Sequence, residues 1–315
     1  MATETDTLPL IRTKLYRPRI TGDLVPRSRL LERLDYRRDR PLTLVVAPAG
    51  YGKTTLVASW LATCACASAW LSLDEDDNDL ALFLSYFSAA VQTMFPDALD
   101  ETSALLQAAF LPPLDVLARS LINELDRIEQ PFILVLDDYH VVQSMDVHHL
   151  LTELLRHPPR ALHLMLTSRS DPPLPLTTLR GRGHVTEIRA HQLRFTEAET
   201  AAYLQQLGMP AENRTVRSLL RSVEGWVTGI RLAVLASRHM GGKEPVSAGL
   251  QGSIPYITGY LMTEVLEGQP PAIQDYLLAT SVLDRFCASL CEAVCPSAVQ
   301  AVSARQAEPG EAGWE

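Results

Sequence analysis

The chain has 315 residues, is 47% hydrophobic and carries a formal net charge of −9. That is enough apolar material for two or three compact units of a soluble globular protein, and with no run of about 18 apolar residues it excludes a membrane-spanning helix. Charge is uneven: residues 1–40 hold ten Arg or Lys against six acids, whereas residues 241–315 hold three against nine. The acidic end is a poor match for DNA, and the basic start suits nucleotide phosphates, nucleic acid, an acidic partner or solvent alone. The opening MATETDTLPL lacks the basic start and apolar stretch of a signal peptide, so a cytoplasmic location is expected.

In chain order, Leu42 to Val46 (LTLVV) has the apolar character of a buried parallel strand and runs straight into Pro48, Gly50 and Gly52. A helix from Lys53 to Thr63 should follow. Further strands are expected at Ala69 to Leu73, Phe132 to Leu136, Leu162 to Thr167 and Val185 to Ile188, with helices at Leu80 to Met94, Leu114 to Arg127 and Val147 to Arg156. Alternation of this kind implies an α/β fold with a parallel sheet flanked by helices. After Thr196 the apolar spacing changes to three and four through Tyr203, Leu204, Leu207, Leu219, Val223, Val227, Ile230 and Val234, which predicts a helical subdomain. Thr196 with Glu199 three residues on is a capping box, and Gly208 then Pro210 end that first helix. His239 to Gly252 reads as a loop, followed by helices at Tyr256 to Glu267, Ala272 to Thr280 and Ser289 to Val294, and by a biased tail. The expected units are therefore residues 1–40, an N-terminal segment contacting the nucleotide domain; 41–195, the nucleotide domain; 196–240, a helical lid; 253–295, a partial winged-helix-like region; and 296–315, a disordered tail.

The five cysteines do not form a disulfide framework. Cys64 and Cys66 are separated by one residue, and Cys287, Cys291 and Cys295 recur every fourth residue, which would stack them on one helical face. With no histidine near either group, packing as small hydrophobes is preferred over zinc. Asp74, Glu75, Asp76 and Asp77 tempt a calcium reading, but the glycine and terminal glutamate of an EF-hand loop are missing. A strand end leading into a helix capped by Asn78 or Asp79 explains the run better. His148 and His149 look like a helix face.

Ala47 to Thr55 (APAGYGKTT) fits the Walker A pattern GxxxxGK(S/T), with Ala47 in place of the leading glycine and Gly52, Lys53 and Thr54 supplying the rest. Backbone amides from Gly50 through Tyr51 to Thr54 and Thr55 would bind phosphate oxygens at the positive end of a helix. Lys53 would reach the β- and γ-phosphates, and the Thr54 hydroxyl would coordinate Mg²⁺. A P-loop needs an acid on a neighbouring strand. FILVL followed by Asp137 and Asp138 supplies it, Asp137 for Mg²⁺ and Asp138 as general base. Arg169, at the tip of the strand ending Thr167-Ser168-Arg169, is the candidate γ-phosphate sensor. ATP or ADP with Mg²⁺ are the expected cofactors.

LIRTKLYRPRITGDLVPRSRLLERL, APAGYGKTTL, WLSLDEDDND, FILVLDDYH, TSRSDPPLPL, RAHQLRFTEAE and GWVTGIRLA follow in the order seen in large ATP-binding LuxR-type transcription activators. The chain resembles that family, which belongs to the signal-transduction ATPases with numerous domains, over Leu10 to Val294. The resemblance implies a P-loop NTPase with a helical lid and the beginning of a winged-helix unit. It places Leu24 to Arg27 against adenine and ribose, with Val25 as apolar contact and Arg27 beside it, and GWVTGIRLA in the lid near the nucleotide. Trp226 reads equally as lid core, the more common role for a tryptophan at helical spacing, and the proline that related ATPases place in this motif is missing here.

In that family a sensor of helical repeats and a DNA-binding helix-turn-helix follow. This chain resembles an N-terminal part, or a shortened or frame-altered version, so DNA binding is expected only through absent domains. The expected function is a nucleotide-driven switch with slow turnover and nucleotide-dependent self-association. The alternatives are a P-loop kinase acting on a small substrate, disfavoured because the arginine cluster of a kinase lid is missing, and a truncated protein that only binds partners.

Overall fold

The computed structural model describes residues 10–239 and 255–295, apart from 21, 23, 268 and 284–286. The chain divides into two compact units, Met1–Val234 and Leu235–Glu315. Of the loop expected at His239 to Gly252, His239 is the last residue of a helix, and the rest lies outside the described residues, as does the expected 296–315 tail.

The first unit is built on five parallel strands: β1 (Leu42–Val46), β2 (Ala67–Ser72), β3 (Phe132–Asp137), β4 (Leu162–Ser168) and β5 (Val185–Arg189), in the order β2-β3-β4-β1-β5. β1, β3 and β4 are buried along their whole length, as central strands covered on both faces must be. Strand side chains alternate between faces. Leu42, Leu44, Phe132, Leu134, Leu136, Leu164 and Leu166 accordingly join one core cluster, and Val45, Ile133, Val135 and Met165 join the other.

Around the sheet run α1 (Ser28–Tyr36), α2 (Lys53–Thr63), α3 (Leu80–Gln92), α4 (Asp100–Leu106), α5 (Leu114–Asp126), α6 (Met145–Arg156), α7 (Leu176–Gly181) and α8 (Ala190–Leu193). Leu30 and Leu34 of α1 and Val57 and Trp60 of α2 cover one face, while α3, α5 and α6 cover the other with Phe83, Phe87, Leu117, Leu121, Leu150 and Leu151. α4 and α7 escape the sequence reading because they are too short for a 3.6-residue period to register. α4 is held from below: the buried Glu124 carboxylate accepts from the amides of Glu101 (2.9 Å) and Thr102 (2.8 Å), satisfying the free donors of its first turn.

The acidic run is structural. Asp74 and Asp77 form a capping box around a 3-10 turn, and Asp79 caps α3 by accepting from the Leu82 amide at 2.8 Å. Lys14, from a 3-10 turn at Arg12–Leu15 packed on β2, is buried between Asp74 (2.9 Å) and Asp77 (2.6 Å) and lies over the Tyr86 ring. The run anchors the N-terminal segment to the sheet edge. Asn78 accepts from the amides of Gln143 (2.6 Å) and Ser144 (2.9 Å) instead of capping α3. His148 is buried against Tyr139, whose hydroxyl meets its Nδ1 at 2.7 Å, while His149 stays exposed.

Three lid helices follow: α9 (Glu197–Gln206), α10 (Asn213–Val223) and α11 (Val227–His239), the last running past the end of the first unit. The capping box is present, with the Glu199 amide donating to Thr196 Oγ1 and the Thr196 amide to Glu199. Gly208 ends α9 at φ +69°. Leu204, Val216, Leu219, Ile230 and Val234 are buried.

The second unit holds a helical stretch at 255–261, a π-helical turn at Met262–Leu266, and helices at Pro271–Thr280 and Ala288–Val294. Cys287 and Cys295 flank the last helix. Among the described residues there is no metal-competent cluster of His, Cys, Asp or Glu, and no helix long and apolar enough to cross a membrane.

Candidate functional site

The strand order decides which residues meet. Because β4 sits between β1 and β3, the carboxyl ends of all three lie side by side, with Val46 opposite Ser168 and Leu136 opposite Leu166. Crevices at such strand ends are where open α/β sheets take their ligands.

From β1 the chain turns through Ala47 to Gly52 into α2. Ala47 is buried in the core beneath the loop and its amide donates to Ser168 at 3.2 Å, so the position of the usual leading glycine accommodates a methyl group. Gly50 (φ +76°) and Gly52 (φ +77°) are left-handed on either side of Tyr51, a conformation only glycine enters without strain. Reversed backbone of this kind forms an anion-binding concavity.

Asp137, the last residue of β3, is almost fully buried. Its Oδ1 accepts from Thr167 at 2.5 Å and from Thr54 at 3.0 Å, joining β3, β4 and α2 at one oxygen. Burial, with Asp138 adding to it, pushes this carboxyl up to about 6 against the downward pull of the Thr167 and Thr54 hydrogen bonds and nearby Lys53. Asp138 is left-handed (φ 58°) with a half-exposed carboxylate 3.7 Å from His140 Nδ1, and its amide donates to Thr167 Oγ1 at 3.0 Å. Burial holds His140 below the usual histidine range, so it is neutral near pH 7.

Lys53 is buried at the start of α2. Its Nζ donates to the Pro48 carbonyl at 3.2 Å and has no ion-pair partner among the described residues. Burial lowers its pKa, with Asp138 opposing and Arg169 adding to the effect. An ammonium withdrawn from water without a counter-ion is costly unless an anion completes the site. Arg169, exposed at the tip of β4, acts on the fields of both Lys53 and His140.

The lid reaches the loop directly. Trp226 Nε1 donates to the Ala49 carbonyl at 3.1 Å, and both the amide (3.1 Å) and the hydroxyl (3.0 Å) of Thr228 donate to the Gly50 carbonyl. A methyl group on Gly50 would lie 2.7 Å from Thr228 Oγ1 and from the Trp226 indole nitrogen. Trp226 is therefore a contact residue of the loop and only half-buried, not lid core, and no proline is needed for the motif to reach the site.

A cavity of about 380 Å³ opens beside the loop, between α1, α2 and the lid. Leu24, Val25, Phe195 and Val227 line it, together with Gly52 and Thr55 from the phosphate loop and the start of α2. Arg27 borders the cavity, but its guanidinium is committed elsewhere. Nε bonds Glu199 at 2.9 Å, Nη2 bonds the carbonyls of Leu193 (2.8 Å) and Arg194 (3.1 Å), and the group lies over the Phe195 ring. It ties the N-terminal segment to the lid. The sequence carries no signal for this pairing, because Arg27 and Glu199 are 172 positions apart.

A five-stranded parallel sheet in this order, with the glycine-turned loop before α2 and an acid at the end of β3, defines a P-loop NTPase. Residues 26–167 match the AAA ATPase domain family and residues 262–308 match the MalT winged helix domain, the second match extending into the stretch read from sequence as tail. The HTH-type transcriptional regulator MalT of Serratia proteamaculans is 38% identical over 279 residues, 87% of this chain and 30% of that protein. The MalT of Yersinia pestis strain Pestoides F is 37% identical, with 87% and 31% covered. The chain spans about a third of the length of these relatives and carries the NTPase module of a MalT-like regulator. In fold it is similar to the Walker-type ATPase of Pyrococcus abyssi (TM-score 0.56, 14% identity, 93% of this chain and 87% of that one). It is also similar to a signal-transduction ATPase with numerous domains and a tetratricopeptide repeat sensor from Pyrococcus horikoshii (TM-score 0.51, 16% identity, 88% and 37%).

Proposed function

We propose that this chain is an ATP-binding, slowly hydrolysing switch module in which the helical lid reads the state of the phosphate loop. The observation that carries the reading is the pair of lid residues, Trp226 and Thr228, bonded to the loop carbonyls of Ala49 and Gly50. A loop that changes shape on binding or losing a γ-phosphate changes those bonds, and the lid with them.

The residues fit a magnesium nucleotide. Gly52 has open space where a side chain would stand, and Lys53 is a buried cation without an ion-pair partner among the described residues. The hydroxyl of Thr54 and carboxylate of Asp137 are hard oxygen donors 3.0 Å apart. When bound, Mg²⁺ supplies charge neutralisation at the β- and γ-phosphates. Lys53 pairs with those phosphates, and the amides of Gly50, Tyr51, Gly52 and Thr55 line them. Asp138 takes the proton of the attacking water, and Arg169 faces the γ-phosphate. Val25 supplies an apolar wall for the base, and Arg27 holds that wall against the lid. Nucleotide-dependent self-association, and transcription control through DNA binding, are proposed for the whole protein from the regulators it is similar to.

The test is calorimetric titration with ATP and Mg²⁺. Wild type binds, and Lys53→Ala keeps its fold by circular dichroism while losing at least a hundredfold in affinity. Equal affinities for the two proteins would remove the phosphate site.

A further inference from the structure

Arg169 stands on a segment that is anchored on both sides. Before it, Ser168 is fully buried at the end of β4; its carbonyl accepts from the Ala47 amide at 3.2 Å, and its hydroxyl donates to the Ser170 carbonyl at 2.5 Å. After it, Arg189 of β5 presents both terminal nitrogens to the two carboxylate oxygens of Asp171, with Nη2 3.3 Å from Oδ2. Ser168 and Arg189 are both in register with Val46, one on each side of β1. At about 4.8 Å between neighbouring strands, their backbones are roughly 10 Å apart. The Asp171–Arg189 pair therefore bridges the carboxyl end of β1, where the phosphate loop begins.

The pair belongs to a network. Arg180 of α7 donates to Glu187 at 3.0 and 2.8 Å and to Asp171 at 3.4 Å, and Arg189 also bonds Glu187. Two arginines and two carboxylates thus close into one ring. Isolated exposed ion pairs contribute little, but a bidentate arginine within such a network holds its geometry. The acids stay ionised: the Arg189 hydrogen bonds hold Asp171 below the ordinary carboxylate range, and those of Arg180 and then Arg189 bring Glu187 down to about 2. Pro172 and Pro173 follow Asp171 with their φ locked, which stiffens the segment further.

What the network does follows from where Arg169 stands. An arginine on a loose loop has to be ordered each time it meets an anion, and that ordering opposes binding. A backbone fixed in advance on both sides of the residue removes that cost and keeps the side chain within reach of one point. The Asp171 carboxylate is spent on Arg189 and Arg180, so its influence on a ligand passes through the loop it holds.

We propose that Asp171, held by Arg189, is a positioning residue for Arg169, keeping that arginine aimed at the third phosphate of a bound nucleotide. This rests on the reading of Arg169 as the γ-phosphate contact. The test is calorimetric titration with ADP and with a non-hydrolysable ATP analogue, which differ in the third phosphate. The proteins are wild type, Arg169→Ala, Asp171→Ala, Arg189→Ala and the double variant Asp171→Ala with Arg169→Ala. Arg169→Ala is expected to lose about tenfold or more for the analogue, the worth of a hydrogen bond to a charged group, and little for ADP. Asp171→Ala and Arg189→Ala are each expected to lose about three- to tenfold for the analogue, with ADP affinity within about twofold of wild type. The double variant is expected to bind the analogue no more weakly than Arg169→Ala alone, because the network then has nothing to aim. A purely structural role would weaken both nucleotides alike. Equal losses for the two, an unchanged analogue affinity in Asp171→Ala, or losses that add in full in the double variant would overturn the role of Asp171. Arg169→Ala with wild-type affinity for the analogue would overturn the reading of Arg169 and this inference with it, and wild type that binds neither nucleotide would sink both.

Discussion

The indole nitrogen of Trp226 donates to the carbonyl oxygen of Ala49 at 3.1 Å, across 177 positions of sequence. With Thr228 on the Gly50 carbonyl, this makes the first turn of α11 a direct neighbour of the phosphate loop. Motion of either is felt by the other without an intervening relay.

Gly50→Ala should break that contact. The new methyl meets Thr228 Oγ1 and the Trp226 indole at 2.7 Å, and the residue must also hold φ +76°. A loss of about 2–3 kcal/mol in stability is expected, from left-handed strain plus overpacking. Gly52→Ala has the same φ problem but nothing within 4 Å, so it should cost only about 1 kcal/mol. Thermal melting of the two variants separates the terms, and equal losses would show that lid packing on Gly50 contributes nothing.

Asp137 sets a pH dependence in nucleotide-free, metal-free protein. Its carboxyl is raised from 3.8 to about 6 by burial, so between these values the folded state keeps a proton that the unfolded state has released. Stability therefore falls as pH rises from about 4 to 6 and levels off above. Asp137→Asn removes this slope and should be more stable at pH 7 by on the order of 2–3 kcal/mol. Urea midpoints across pH 4–7 for both proteins check it; parallel curves would contradict it.

Glu199 holds Arg27 and Arg29 while capping α9. Glu199→Ala strands the buried Arg27 charge and removes the capping box, a combined loss of about 3 kcal/mol or more. Chemical denaturation followed at the lid should show it, and a change under 1 kcal/mol would mean that Arg27 is solvated on its own.

Asp138→Asn should bind ATP as wild type does and turn it over at least a hundredfold more slowly, as expected for removal of a general base. Phosphate release under saturating ATP measures this. Undiminished turnover would exclude Asp138 as the base.

Much of the fold was legible because its signals are local. LTLVV and FILVL are short, mostly or wholly apolar runs of the kind that a sheet covered on both faces buries, and β1 and β3 form there. APAGYGKTT is nine consecutive residues whose glycines, lysine and threonine carry their meaning in their spacing. The capping box of Thr196 and Glu199 is equally local, and it is present. Strand limits moved by one or two residues, as with β2 at Ala67–Ser72, because hydrogen bonding to β3 sets the ends of that strand.

Other features required the folded chain. Trp226 reads as lid core from its helical spacing, and only packing shows its indole on the loop. Lys14 between Asp74 and Asp77 and Arg27 on Glu199 are long-range facts that no spacing encodes.

By itself the sequence determined the phosphate loop, the alternation of strands and helices, and the acid at the end of β3. These depend on residues within one turn or one strand of each other, where backbone preference and burial period act directly. The tertiary structure alone decided that β4 separates β1 from β3, that Thr54 and Thr167 converge on one oxygen of Asp137, and that the lid rests on Ala49 and Gly50. Those outcomes come from how separate elements pack to bury their apolar faces while satisfying their polar groups, a balance struck over the whole domain.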